Sequence, residues 1–278
     1  MNPQKMFTVN KINAPRTFLT DIYHDLLTLS WIKIILIFFA LSFVINAIFA
    51  TLYWLDPGCL NNSPGDWLSA FFFSVQTLGT IGYGHLSPAN TYANVLVTFE
   101  AMLGLMLIAI ITGFFFAKFS RAFAKIEFSR HMVITQFDGK PTLMVRMINI
   151  RNNQMVDSTV SANMLREHNS KEGLVMRRFV DLKLVRSQVP VFAMSMNIMH
   201  VIDEHSPLYG LTEEEALKEN FEIIVTTIGT DSTFGQTVHA SHLYRARDIV
   251  WGKRFEDMVK LKSDGVREID YAKFHQLV

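Results

Sequence analysis

Two long apolar segments in a stretch without basic residues restrict how this chain can fold. No lysine or arginine occurs between Ile34 and Ala117, and the apolar segments in and beside this stretch are residues 32–52 and 92–119. A helix of about 20 apolar residues crosses the hydrocarbon core of a bilayer. Each segment is therefore predicted to be a membrane-spanning helix.

The residues that flank these segments favour a membrane and indicate an orientation. Trp31 precedes the first segment, and Tyr53 and Trp54 follow it, at the positions where interfacial aromatic residues are enriched. A buried core helix of a soluble protein is the alternative. Basic residues precede the first segment and follow the second but are absent from the loop between them. This pattern predicts a multi-pass protein of the cell (inner or plasma) membrane with both termini in the cytoplasm.

Between the two segments lies an apolar stretch that is too short to cross a membrane. Residues 66–78 are rich in aromatic side chains, and they begin with Asp66, a residue type that caps helices. We interpret this stretch as a half-helix that re-enters the membrane. Irregular backbone at membrane depth is tolerated only where it is buried in protein or lines a water-filled path. The backbone that follows the half-helix is therefore expected to face a pore.

The half-helix leads into the pentapeptide Thr80-Ile81-Gly82-Tyr83-Gly84. Potassium filters are built from four such loops, whose backbone carbonyl oxygens replace the hydration shell of the ion. Glycine adopts the required positive-φ conformations at little steric cost. The pentapeptide is predicted to bind permeant potassium ions, with its first four residues as the ligands, and no cofactor is expected. Since one chain supplies one of four loops, we expect a homotetramer.

The second apolar segment carries a stripe with a period of four residues: Gly104, Ile108, Thr112 and Phe116. A step of four residues overshoots one helical turn by about 40°, so the stripe drifts only slowly around the helix. Four copies of Phe116 are predicted to form a hydrophobic gate in a pore lined by Ile108 and Thr112. Packing of Phe116 against lipid or the first span is the alternative. Gly104 is either a hinge, since glycine weakens a helix by about 1 kcal/mol, or a site of close helix packing.

Glu100 is the only acidic residue in the second apolar segment. Ionisable groups within a membrane are costly and usually face protein or a cavity. We expect Glu100 to bond the back of the half-helix near Gln76 or Thr77. These three residues are therefore predicted to support the filter.

The N-terminal residues and the end of the second span are predicted to meet the inner leaflet. Residues 15–29 place apolar side chains on one face at helical spacing, which predicts an amphipathic helix at the membrane surface. A soluble helix packed on the tail is the alternative. Basic residues near an anionic surface gain about 1 kcal/mol each. A binding site for anionic phospholipid or phosphoinositide is predicted, with plain positive-inside topology as the alternative, at Arg16, Lys118, Arg121 and Lys125.

From Met132 onwards the hydrophobic pattern changes from helical to alternating. Several short strands separated by turn signals predict an all-β antiparallel sandwich. The strands are expected near residues 143–148, 181–185 and 221–228, and the turns at Asp138-Gly139, Ile228-Gly229 and Asp264-Gly265. His200 and His205 flank two acidic residues, which we interpret as a turn or a subunit contact rather than a metal site.

The chain is expected to have three parts. They are an N-terminal segment with the interfacial helix (1–29), a transmembrane pore domain (30–125) and a cytoplasmic β-sandwich domain (126–278). The absence of a nucleotide-binding glycine motif and of a nucleophile–base–acid set weighs against an enzyme. The net charge of +1 and the lack of a basic run weigh against nucleic-acid binding. The single cysteine, Cys59, excludes a disulfide within one chain.

Four separated motifs resemble the inward-rectifier potassium channel family, and in particular its prokaryotic branch. They are the pore segment FFFSVQT that leads into the pentapeptide, and the tail motifs IDEHSPLY (202–209), DIVWG (248–252) and DYAKFH (270–275). The resemblance implies an immunoglobulin-like cytoplasmic domain, four copies of which extend the pore. It also implies an inner gate at Phe116, gating by lipids and a narrow loop at about residues 239–244.

The chain departs from this family's pattern at several positions. Gln76 and Gly79 stand where many members carry Glu and Thr, and Cys59 lacks the partner found in eukaryotic members. The resemblance implies block by barium, magnesium or polyamines. In the family's strong rectifiers an acidic or polar residue on the second span attracts magnesium and polyamines. In this chain the resemblance places Ile108 at that position.

Two other functions remain open on the sequence alone. One is a two-span potassium channel with a ligand-binding tail. The other is a membrane-anchored β-sandwich binding protein that does not conduct ions. The second would leave residues 80–84 without an explanation.

Overall fold

The computed structural model describes residues 22–263, 265 and 267–278. It divides into two compact units, and the boundary in the chain lies between Arg121 and Ala122. Part of the predicted interfacial helix, including Arg16, lies outside the described residues, as does Asp264 of one predicted turn.

Within the described residues, the first unit contains four helices. They are α1 (Ile22–Thr28), α2 (Trp31–Trp54), α3 (Trp67–Leu78) and α4 (Thr91–Phe119). Helices α2 and α4, of 24 and 29 residues, are long and apolar enough to cross a membrane, whereas α3 is too short. The sequence-based bounds of all three are thus correct to within two residues. Asp66 occupies the N-cap position of α3, although its side chain makes no capping hydrogen bond.

Two short strands brace the loops on either side of α3. Strands β1 (Leu60–Asn61) and β2 (Ser87–Pro88) pair in antiparallel fashion. The side-chain amide nitrogen of Asn62 donates to the carbonyl oxygen of His85 at 2.9 Å. These contacts fix the backbone that follows the pentapeptide to the loop that precedes α3.

The second unit contains two five-stranded sheets. The strands of these sheets are β3 Ile126–Phe128, β4 Met132–Phe137, β5 Lys140–Asn149, β6 Met155–Asn169, β7 Val175–Asp181, β8 Gln188–Phe192, β9 Ser195–Val201, β10 Glu222–Asp231, β11 Gln236–Arg245 and β12 Ile249–Trp251. In one sheet β11, β10, β6 and β7 are neighbours in that order, and β8 also pairs with β6. In the other sheet β12, β4, β5 and β3 are neighbours in that order, and β9 also pairs with β5.

Smaller elements complete this unit. A helix, α5 (Glu213–Glu219), precedes β10, and a short hairpin of β13 (Val259–Leu261) and β14 (Arg267–Ile269) lies near the C-terminus. Inward-facing side chains of both sheets form one core, which includes the fully buried residues Met132, Met164 and Ile223. The predicted all-β sandwich is confirmed. Its sheets are antiparallel except for the pairing of β12 with β4, which is parallel.

Some sequence-based details of the sandwich are wrong. Residues 182–185 do not form a strand, because only Leu184 makes an isolated bridge, to His200. Residues 239–244 lie inside β11 and not in a loop. Gly229 lies inside β10, at a shift in its register with β6, and not in a turn. A Cβ atom at Gly229 would lie 2.5 Å from Ser158 Oγ, so the glycine is needed for close strand contact.

The turn predicted at Asp138-Gly139 is correct. Both residues have positive φ, +49° and +74°, and they connect β4 to β5 directly. Positive φ at both central residues is the requirement of a two-residue type I′ hairpin, which explains the Asp-Gly sequence.

His205 lies in a turn, as the sequence suggested, whereas His200 lies in β9. His200 is buried; its Nδ1 hydrogen-bonds the carbonyl oxygen of Lys183 at 2.8 Å, and the hydroxyl of Ser206 lies 2.7 Å from its Nε2. Burial lowers the pKa of His200, so the neutral ring is the form that fits this site. No cluster of three metal-ligating side chains occurs in the part of the chain that the structure describes.

Candidate functional site

The backbone of residues 80–84 alternates between left-handed and ordinary conformations. Thr80, Gly82 and Gly84 have φ values of +56°, +61° and +80°, whereas Ile81 and Tyr83 between them have negative φ. A non-glycine residue such as Thr80 pays a conformational cost of about 1–3 kcal/mol in this region. Strain of this kind persists where the surrounding structure imposes it, and it concentrates at functional sites.

The amide groups of this segment are turned back onto the C-terminal end of α3. The amides of Ile81 and Gly82 both donate to the carbonyl oxygen of Gln76, at 2.8 and 3.4 Å. The amide of Thr80 donates to the carbonyl oxygen of Thr77 at 3.1 Å. These bonds use the unpaired carbonyl groups that every helix C-terminus carries.

The carbonyl groups of the same segment have no such partners. Within the described residues, no protein group donates a hydrogen bond to a carbonyl oxygen of residues 80–84. Five successive acceptors therefore remain free at the end of an apolar half-helix. All five residues are exposed in the single chain, so these oxygens are accessible to a ligand. A permeant cation is the partner that such oxygens can hold.

Glu100 lies at the centre of a polar network that joins three helices. The side chain is fully buried on α4, and it accepts a hydrogen bond at 2.7 Å from the hydroxyl of Tyr53 on α2. Its other oxygen contacts Ser74 on α3. Ser74 in turn donates to Asn46 Oδ1 at 2.9 Å. The network ties the half-helix to both long helices.

The predicted partners of Glu100 were wrong, although the predicted helix was right. The contact is made with Ser74, whereas the hydroxyl of Thr77 donates to the backbone of Phe73 at 2.9 Å. Gln76 supports the pentapeptide through its carbonyl oxygen. Sequence reasoning missed Asn46 and Ser74. The available signal was the presence of polar side chains in otherwise apolar helices.

Gly104 lies in close contact with the end of α3. A Cβ atom at this position would lie 2.3 Å from the carbonyl oxygen of Leu78 and 3.1 Å from its carbonyl carbon. Such distances are impossible without movement of the backbone. Of the two roles considered for Gly104, this contact supports close packing.

The remaining residues of the α4 stripe face away from the chain's own interior. Ile108, Thr112 and Phe116 are exposed in the single chain, Phe116 at 73% of its surface. By contrast, Phe114 is 7% exposed and its ring packs edge-on against Phe38 of α2 at 5.8 Å. The stripe is therefore available to line a space between copies.

The basic residues at the end of α4 differ in their surroundings. Arg121 and Lys125 are exposed. Lys118 donates to two carbonyl oxygens near the end of α1 and lies over the ring of Trp31. Arg16 lies outside the described residues.

Comparisons with known proteins indicate the family of this chain. The family model described as the inward rectifier potassium channel C-terminal domain matches residues 126–278, and the ion channel model matches residues 33–121. The chain is 44% identical over 263 residues to the inward rectifier potassium channel Kirbac3.1 of Paramagnetospirillum magnetotacticum, covering 94% of this chain and 89% of the relative.

Mammalian relatives are less similar. The G protein-activated inward rectifier potassium channel 3 of Mus musculus is 31% identical over 288 residues, covering 93% of this chain and 72% of the relative, and its Homo sapiens counterpart gives the same values. These relatives are ion channels and not enzymes. A family model that covers more than half of the chain and relatives that span nearly all of it lead to one conclusion. The chain belongs to the inward-rectifier potassium channel family.

Proposed function

We propose that four copies of this chain form one potassium pore whose filter is residues 80–84. The observation that carries this proposal is the row of free carbonyl oxygens at the end of α3. Potassium is the permeant ion of the family. Carbonyl oxygens of Thr80, Ile81, Gly82 and Tyr83 would replace the water around the dehydrated ion. Four such rows around one axis are needed, because one chain supplies only one side of the coordination shell.

The proposed membrane arrangement follows from the distribution of charge. Residues 30–125 form the pore domain, with α2 and α4 spanning the bilayer and α3 re-entering it. Both termini, including the β-sandwich of residues 126–278, face the cytoplasm, because the outer loop carries no lysine or arginine. Arg121 and Lys125 are exposed, and they are suited to bind an anionic phospholipid or phosphoinositide at the inner leaflet.

Reconstitution into liposomes tests the filter and the fourfold assembly together. Purified protein is expected to have four times the 31.8 kDa mass of the chain. It should carry potassium much faster than sodium, with barium as a blocker. A membrane-anchored binding module would give no potassium flux, and a pore of another stoichiometry would give a different mass. Equal rates for sodium and potassium would contradict the filter assignment.

The inner gate is assigned to Phe116. Its ring is exposed in the single chain and lies near the C-terminal end of α4. Four such rings around an axis form a constriction that excludes water and closes the pore by dewetting. Phe116→Ala is expected to raise potassium flux in liposomes several-fold.

Phe114→Ala is the matched control for the gate. This ring is buried against Phe38. Its removal should cost about 3–5 kcal/mol of stability through the loss of packing, without an increase in flux per folded tetramer. Unchanged flux in Phe116→Ala would remove this residue from the gate.

A further inference from the structure

The contacts of Lys118 distinguish it from the other basic residues at the end of α4. Its ammonium group donates hydrogen bonds of 2.8 Å to the carbonyl oxygens of both Leu27 and Leu29. Leu27 belongs to the last turn of α1, and Leu29 lies in the short link between α1 and α2. Helix C-termini carry unpaired carbonyl groups and a partial negative charge, and a lysine is well suited to both.

An aromatic cluster holds the lysine in this place. Its Nζ atom lies 5.2 Å from the ring centroid of Trp31, the first residue of α2. The same tryptophan ring lies 5.5 Å from Phe115 and 4.5 Å from Phe119 of α4. A cation over a tryptophan ring is attracted by the ring's negative face. The ammonium group is thus bound to the junction of α1 and α2 from three sides.

We propose that Lys118 is a positioning residue that latches the interfacial helix to the last turn of the gate helix. Lys118 lies two residues beyond Phe116, so a constraint on its side chain acts on the helical turn that carries the gate. The inference rests on the proposed gate and deepens it. Lysine has three donors, and two of them are engaged here by carbonyl groups. Lys118 is therefore less available to a lipid headgroup than Arg121 and Lys125, which are exposed.

Neutral liposomes separate the latch from a headgroup site. In phosphatidylcholine alone there is no anionic lipid to bind, so a lysine that acts only on headgroups has no effect there. Lys118→Met keeps an unbranched side chain, one atom shorter, and removes its donors. The latch predicts that this variant shifts the open probability at least threefold in phosphatidylcholine, with potassium selectivity and unitary conductance unchanged.

A spin label on α1 gives a second readout that does not depend on conduction. Tyr23 is 62% exposed, and a nitroxide at Tyr23→Cys in a Cys59→Ala background would report the mobility of this helix. Mobility should increase in Lys118→Met and stay at its original level in Lys118→Arg, which restores a cation with donors. Lys33→Met on α2 is the matched control: this lysine is exposed and makes none of the contacts of Lys118, so the change should leave label mobility and neutral-lipid activity unchanged.

The opposite result would assign Lys118 to lipid binding. If Lys118→Met behaved like the parent in phosphatidylcholine, in both label mobility and open probability, and lost only its response to anionic lipid, the latch would be overturned. A parent protein without potassium-selective flux would instead contradict the proposed function. The label mobility would still test the latch in that case.

Discussion

Glu100→Ala is expected to lower potassium flux at least tenfold and to make the tetramer dissociate at a lower temperature. The substitution leaves the buried hydroxyl group of Tyr53 without its acceptor, and it removes the contact that ties Ser74 to α4. Each unsatisfied buried group costs about 1–3 kcal/mol. Ser74 lies on the half-helix that ends at the filter, so loss of its anchor is expected to loosen the filter. Flux and thermal dissociation of the reconstituted protein measure the two effects.

The hydrogen count of the network identifies the proper control. Ser74 contacts both Glu100 Oε1 and Asn46 Oδ1, yet a hydroxyl group donates only one hydrogen. The amide nitrogen of Asn46 is already engaged, since it donates to the carbonyl oxygen of Ser42 at 2.8 Å. Complete pairing therefore requires that the carboxyl group of Glu100 donates a hydrogen to Ser74. The network is satisfied when this carboxyl group is neutral.

Glu100→Gln should consequently behave much like the parent protein. Its amide nitrogen can donate to Ser74 while its oxygen accepts from Tyr53. A glutamine variant that lost flux as completely as the alanine variant would contradict this hydrogen-bond pattern. An alanine variant with full flux and selectivity would show that the network does not support the filter.

The sequence predicted the elements whose signal is spread over many residues. The spans follow from unbroken apolar length and from Trp31 and Trp54 at the ends of α2. The proposed filter rests on a glycine pattern of the kind that potassium filters use. The sandwich follows from alternation, which could be read directly in β5, where Leu143, Val145 and Met147 all lie in the core.

The missed features depend on single contacts between distant parts of the chain. Ser74 and Asn46 are isolated polar residues in apolar helices, and nothing local indicates that they meet Glu100. The strand position of Gly229 depends on Ser158 in the neighbouring strand. Lys118 belongs to a basic cluster by sequence, and only the fold places the end of α1 against it.

Gly104→Ala is expected to reduce potassium flux at least tenfold, through damage to the filter. The added methyl group would meet the carbonyl oxygen of Leu78, the last residue of α3, at 2.3 Å. Since Leu78 lies two residues before Thr80, the only relief is movement of α4 or of the backbone that leads into the filter. Sodium competition in the flux assay should show weaker selectivity in whatever flux remains.

Gly113→Ala is the control that separates this contact from a general effect of glycine in α4. A Cβ atom at Gly113 would meet no atom of the chain within 4 Å. The substitution should therefore preserve flux and selectivity, and it should stabilise the helix by up to about 1 kcal/mol. A hinge at Gly104 predicts a different result for Gly104→Ala, namely a changed open probability with selectivity intact. Because a methyl group at Gly104 displaces filter backbone before it can stiffen the helix, we expect selectivity and flux to fall together.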